Sequence, residues 1–316
     1  MPIDSADIGS LEQLYPVLNR ERYTAGWHKA RPSLWKEPKT PFEPRQWRYA
    51  EARRYIDLAA QWIGTEQAER RNLLMFNPVA DNDYASLPNL VAAYQMLRPG
   101  EHARAHRHSP NALRLVLDAK EEVYTVVDGV QLPMVPGDVL LTPGWCWHSH
   151  FDHGEHDAYW IDFLDVPLVH RLESMFFEPH PEQFQQVEHK PAASPMRFSA
   201  ADQDRLLAQV PQQGGVRSVR LDTPSMRTIA LTVHELAAGA RTPLRRDAAS
   251  RLVAITQGRG QVEVGQHLFD CERGDLVAIP IWHEYRIVAA TGLRLLEVSD
   301  EPVQQMLGFY RNELRA

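Results

Sequence analysis

"HARAHRHSPNALRLV", residues 102–116, sets three histidines within seven positions, directly after a Pro99–Gly100 turn. Two of them, His106 and His108, are spaced His-x-His. Along a β-strand residues i and i+2 share a face, roughly 6 to 7 Å apart. The spacing therefore predicts a strand that projects both imidazoles into one interior. Downstream, "PGDVLLTPGWCWHSH", residues 136–150, reads as a strand, a tight turn, and then His148 and His150. A His-x-His pair joined by a third histidine from a neighbouring strand makes a facial metal site with coordination positions left open. Neutral imidazole suits Fe(II), Zn, Ni or Cu in such a site. His153 and His156, in "FDHGEHD", read as solvent-exposed loop residues, and His102 is left out of the ligand set. Cys146, flanked by Trp145 and Trp147, reads as core filling.

Outward from this stretch the rhythm is that of strands. "NLLMFNP", "LVAAYQML", "LRLVL", "EVYTVVDG", "DVLLTPGW" and "DAYWIDFLDVP" are short apolar or alternating runs broken by Pro and Gly, the pattern of an all-β barrel or jelly roll. A second series follows, from "TIALTVHEL" to "LRLLEVS". A gapless shift of 137 residues sets "PGDVLLTPGW" on "RGDLVAIPIW" and Arg114 on Arg251, which points to an internal repeat. In that register His106, His108 and His148 meet Pro243, Arg245 and Tyr285, so the second unit lacks the site. The chain divides into a mainly helical extension (1–70), a metal-binding barrel (71–178), a Pro-rich linker (179–215), a second barrel without metal (216–302) and a closing helix (303–316).

Composition narrows the partners. With 316 residues and 44% hydrophobic content a sizeable core is available. The formal charge of −7, with arginines interspersed among acids, argues against a nucleic-acid or anionic-membrane surface. No apolar run approaches the ~18 residues of a membrane span. The acidic, polar start "MPIDSADIGSLEQLYP" is unlike a targeting signal, and two cysteines suggest no disulfide framework. A cytoplasmic protein acting on a small molecule is expected.

The stretch "PGEHARAHRHSPNALRLVLDAKEEVYTVVDG" followed by "PGDVLLTPGWCWHSH" resembles the two cupin motifs, and more narrowly the gentisate and salicylate 1,2-dioxygenase family of bicupins. "AERRNLLMFNP" and "WIDFLDVPLV" extend the likeness over most of residues 30–316. It implies an all-β bicupin fold, two jelly-roll barrels behind an N-terminal helical extension. The general cupin motif carries a glutamate ligand after His-x-His; here those positions are Ala112 and Leu113, which fits the three-histidine subgroup. The resemblance implies one Fe(II) per chain on His106, His108 and His148, with His150 the alternative third ligand.

It further implies cleavage of a 2-hydroxybenzoate by O2 between the carboxyl- and hydroxyl-bearing carbons. The substrate would be gentisate, or salicylate or a 5-substituted salicylate such as 5-nitrosalicylate. His150 is the candidate acid/base, with Asp162 paired to it. Arg114 and Gln95 are the candidate carboxylate contacts, although Arg251 in the repeat speaks for a structural Arg114. Arg70 or Arg71 closes the pocket or forms a salt bridge. A homotetramer is implied as well. The alternatives are a 1-hydroxy-2-naphthoate dioxygenase, a cupin isomerase and a non-catalytic metal-binding bicupin.

Overall fold

A computed structural model describes residues 8–29, 32–68, 70–120 and 122–314. The chain separates into two compact units, residues 1–39 and 40–316. In the first, a helix Leu11–Arg20 starts at Ser10, whose hydroxyl accepts the Gln13 N–H, and Tyr15 stacks on His28 with ring centroids 4.1 Å apart.

The second unit is two β-barrels, each of one six-stranded and one five-stranded sheet. In the first barrel the six-stranded sheet runs Arg197–Phe198, Val139–Thr142, Ala112–Asp118, Ala158–Leu164, Val91–Leu97, Arg71–Leu74. The facing sheet runs Phe177–Pro179, His102–His108, His148–Asp152, Val123–Val127, Val130–Pro133. The alternation read from the sequence sorts each strand of the larger sheet into two faces. Tyr94, Met96, Leu113, Leu115, Ile161 and Phe163 point away from the barrel and share one buried cluster with Leu231, Val233, Leu252, Ala254, Leu296 and Val298 of the second barrel. The two large sheets thus pack face to face, and burial of these apolar rows is the main force joining the barrels. The opposite faces fill each barrel interior, with Val116, Leu140 and Trp160 in the first and Val253, Val277 and Leu295 in the second.

Cross-strand register corrects the repeat. Strands Val139–Thr142 and His148–Asp152 lie 137 residues before Leu276–Ile279 and Tyr285–Ala289, as the gapless shift predicts. Outside them the offset changes by two residues on each side. Asp162 faces Arg114 across the first sheet, whereas Glu297 faces Val253 in the second. Arg114 therefore has Val253 as its counterpart, not Arg251, because the loops 119–122 and 153–157 each carry two more residues than their equivalents. Likewise Arg245, not Pro243, faces Tyr285 as His106 faces His148.

The second interior is closed by charge. Arg251 pairs with Glu297 and with Asp247 (2.8 Å), and Arg245 reaches Glu297 at 3.1 Å. Burial pushes the Glu297 carboxyl up, but Arg251, the neighbouring His234 (3.6 Å) and Arg245 outweigh it and hold its pKa below the usual carboxylate range. A depressed pKa stabilises the fold above the ordinary carboxylate titration and loses that contribution as pH falls through the folded value. Glu297→Gln is expected to destabilise the chain by about 3 to 5 kcal/mol at neutral pH. The difference from wild type should shrink in acid, as read by urea unfolding at pH 7 and pH 4.

Three segments differ from the sequence expectation. Residues 40–70 belong with the barrels: Arg45–Trp47 pairs with Leu276–Ile279, and the helix Tyr49–Ala59 begins where Asp275 accepts the Tyr49 N–H (2.9 Å). The Tyr49 ring lies so close to Gly274 that a Cβ there would sit 2.5 Å from it. The Pro-rich stretch 179–215 contains a helix, Ala200–Ala208, set by a capping box between Ser199 and Asp202. The chain closes with a short helix, Glu301–Met306, and a strand, Asn312–Leu314, which pairs with Arg245–Asp247. Gly308, at φ +73°, turns the chain out of the helix.

Candidate functional site

The ligand strand His102–His108 lies beside His148–Asp152, with His106 opposite His148. Between Ala103 and His106 the register slips, and three residues on this strand span what two span on its partner. The bulge inverts the side-chain alternation. Ala103, His106 and His108 therefore face the interior, while His102 lies against Phe151 and His153, with ring centroids 5.1 and 4.8 Å away.

Donor atoms of His106, His108 and His148 all lie within 4.8 Å of one another. The ring centroids are 4.4 to 5.6 Å apart. Each Nδ1 meets a backbone carbonyl two residues away: Arg104 (3.2 Å), Pro110 (2.9 Å) and Cys146 (3.1 Å). A carbonyl only accepts, so Nδ1 carries the proton and the ring lone pair lies on Nε2. Nε2 of His148 is buried with no hydrogen-bond partner among the described residues, an arrangement that costs ~1–3 kcal/mol unless something occupies it. Burial, followed by the charge of His106, brings His108 down to about 4, and burial holds His148 well below the usual histidine range. Three convergent imidazoles with pre-set tautomers fit a divalent cation. Among the described residues this is the one group of three or more such side chains so placed.

His150 stands outside the triad. It is fully buried, its ring is 6.1 Å from that of His148, and its Nδ1 meets the Thr125 hydroxyl at 2.9 Å. Its Nε2 is buried and has no hydrogen-bond partner among the described residues. Burial, together with the charges of Arg114 and Arg70, keeps this imidazole neutral. The expected His150–Asp162 pairing does not form. Asp162 instead accepts the Trp160 indole N–H (2.9 Å) and pairs with Arg114 Nε at 3.2 Å.

Arg114 is 1% exposed and donates Nη1 to the Thr142 hydroxyl (2.6 Å), while Nη2 makes no hydrogen bond among the described residues. Burial brings it down to about 10, with Asp162 opposing, so it remains charged at neutral pH. Gln95, on the Val91–Leu97 strand, accepts from Arg70 Nε at 2.5 Å. Arg71 is engaged elsewhere, in a bidentate pair with Glu101 at 2.6 Å. Of the two neighbouring arginines it is Arg70 whose charge acts on His108, His150 and Arg114.

The site thus groups His106, His108 and His148, with His150 beside them, Asp162 on Arg114 and Gln95 on Arg70, while Arg71 is held away by Glu101. It adds Thr125, Thr142 and Trp160, which contact His150, Arg114 and Asp162; Trp160 lies two residues before Asp162 on one strand, and that spacing was the signal available for it.

The comparisons with known proteins agree with this geometry. The cupin-domain family model matches residues 93–165. A gentisate 1,2-dioxygenase of a Streptomyces species is 30% identical over 95% of this chain and 94% of its own. A 5-aminosalicylate 1,2-dioxygenase of a Comamonas species is 28% identical over 97% and 91%. A variant salicylate 1,2-dioxygenase of Pseudoaminobacter salicylatoxidans, solved with gentisate, superposes with a TM-score of 0.90 at 27% identity, over 99% of this chain and 97% of that one. The chain belongs to the gentisate and salicylate 1,2-dioxygenase family and is a two-barrel, aromatic ring-cleaving dioxygenase.

Proposed function

We propose that this enzyme is Fe(II)-dependent, with one iron held by His106, His108 and His148, and that it opens gentisate or a 5-substituted salicylate between the carboxyl- and hydroxyl-bearing carbons. One observation carries the reading: a carboxylate-free triad stands beside two guanidiniums, Arg70 and Arg114, of which the Asp162 carboxylate offsets one. A site with that charge calls for an anionic ligand, and a 2-hydroxybenzoate supplies a carboxylate with an adjacent ionisable hydroxyl. When bound, iron supplies the redox path between the electron-rich ring and dioxygen.

The chain's own residues do the rest. Arg114 offers the unused Nη2 donor to the carboxylate, and the Arg70–Gln95 pair provides a second polar contact. His150, with Nδ1 tied to Thr125 and Nε2 free, is set to take the proton of the ortho-hydroxyl. Thr125→Val should leave the metal content unchanged and lower kcat about tenfold, since the tautomer of His150 is no longer held.

Both cysteines are free, in keeping with a reducing cytoplasm, and a homotetramer follows from the family resemblance. The test is oxygen uptake by anaerobically iron-loaded protein against gentisate, salicylate, 5-aminosalicylate and 1-hydroxy-2-naphthoate, with ultraviolet detection of the ring-opened product. Uptake equal to substrate consumed for a hydroxybenzoate supports the reading. No uptake with any of the four, at one iron per chain, overturns it.

A further inference from the structure

Arg107 sits between two of the triad histidines but faces the other side of its strand. Its guanidinium carbon lies 4.5 Å from the centroids of both Trp145 and Trp147. Its Nε and Nη2 donate to one carboxylate oxygen of Glu178, at 2.8 and 2.6 Å. Glu178 is opposite Arg107 in register, on the strand Phe177–Pro179, and the Phe177 ring lies 5.2 Å from that of His106.

The two tryptophans bracket Cys146, whose carbonyl orients His148. Trp145, at φ +69°, donates its N–H to the carbonyl of His108 (2.8 Å). One guanidinium thus joins the segment bearing His106 and His108 to the segment that aims His148.

We infer that Arg107 is a positioning residue for the metal site, a cation–π clamp that fixes the separation of the ligand-bearing segments. The inference rests on the assignment of iron to the triad. A cation held between two indole faces is attracted to both, and the carboxylate fixes its orientation in the plane.

The second barrel carries half of the same device. Arg246 lies over Trp282 at 4.7 Å and donates to Glu313 at 2.9 Å, and the Trp282 N–H meets the Asp247 carbonyl at 2.9 Å. The position equivalent to Trp147 is Glu284. The barrel without a histidine triad lacks the second aromatic face. A purely architectural clamp has no reason to differ between the barrels.

The test uses the full chain, iron-loaded under anaerobic conditions. Iron loss to a coloured ferrous chelator is followed in time, and the thermal midpoint of each metal-free protein is measured alongside. Arg107→Met should release iron about tenfold faster than wild type, with Arg107→Lys between the two because it keeps a cation over the indoles. Arg246→Met should lower the thermal midpoint and release iron at the wild-type rate. If Arg107→Met does not fold, Arg107→Lys carries the comparison.

A wild-type rate in the Arg107 variants overturns the clamp, and so does an equal acceleration in Arg246→Met. A wild-type chain that holds no iron instead overturns the ligand assignment, and the clamp with it.

Discussion

Replacing His148 with alanine is expected to give a folded chain that holds no iron and takes up no oxygen. His148 is 1% exposed, and its Nε2 is buried without a hydrogen-bond partner among the described residues. The folded chain already bears the cost of keeping that nitrogen dry, so its removal relieves a penalty while leaving a small cavity. These two effects oppose each other, and the metal-free variant should unfold near the wild-type midpoint. Two imidazoles on one strand cannot close a facial site, so bound iron should fall from about one per chain to below ~0.1. Turnover should fall at least a thousandfold, roughly 4 kcal/mol of barrier.

The rise in thermal midpoint that iron gives the wild type should vanish as well, because ligation to the native state alone is the source of that stabilisation. His150→Ala is the informative partner. His150 lies outside the group of three, with its Nδ1 committed to Thr125. Its loss should spare the iron and remove turnover. The opposite pattern, iron kept in His148→Ala and lost in His150→Ala, would transfer the third ligand to His150.

What could be read from the sequence was what alternation and spacing govern. The His-x-His pair, the strand–turn–histidine run and the second barrel all follow from local pattern. Features set by pairing between distant strands were hidden. His102, His106 and His108 share one parity in the sequence, and only the bulge at residues 103–106 turns His102 away. Arg70 and Arg71 are adjacent and alike; Glu101 decides between them by capturing Arg71. Asp162 was assigned to His150, but the cross-strand register sets it opposite Arg114.

The helix Ala200–Ala208 escaped because prolines precede it, although Ser199 and Asp202 spell its start. The repeat holds the 137-residue offset only over its middle strands. Two loop insertions of two residues each preserve side-chain parity, so no break in alternation revealed them. The shift bears on function, because the gapless register sets Arg114 on Arg251 as if one arginine were kept in both barrels.

With Val253 in the corresponding place, Arg114 belongs to the first barrel alone, and Arg114→Met should show it. The variant keeps the length of the side chain and loses its charge. Two losses are expected, and they are separable. Asp162 is left charged in a buried setting with only the Trp160 N–H, which destabilises the fold by about 3 to 5 kcal/mol. The substrate carboxylate loses a charge-assisted donor, which should lower kcat/KM by about 100-fold, near 3 kcal/mol, with iron content unchanged.

Removing Asp162 as well, in Arg114→Met/Asp162→Leu, takes away the stranded charge and should restore most of the stability. It should not restore kcat/KM. Arg251→Met, which breaks the paired network of the second barrel, provides the contrast: lower stability by urea unfolding, with kcat/KM per iron at the wild-type value. If the double variant recovers activity together with stability, Arg114 acts only by holding Asp162 and the carboxylate has another partner. If stability returns and activity does not, the guanidinium is the group that receives the substrate, and the charge of the site rather than its packing selects hydroxybenzoates.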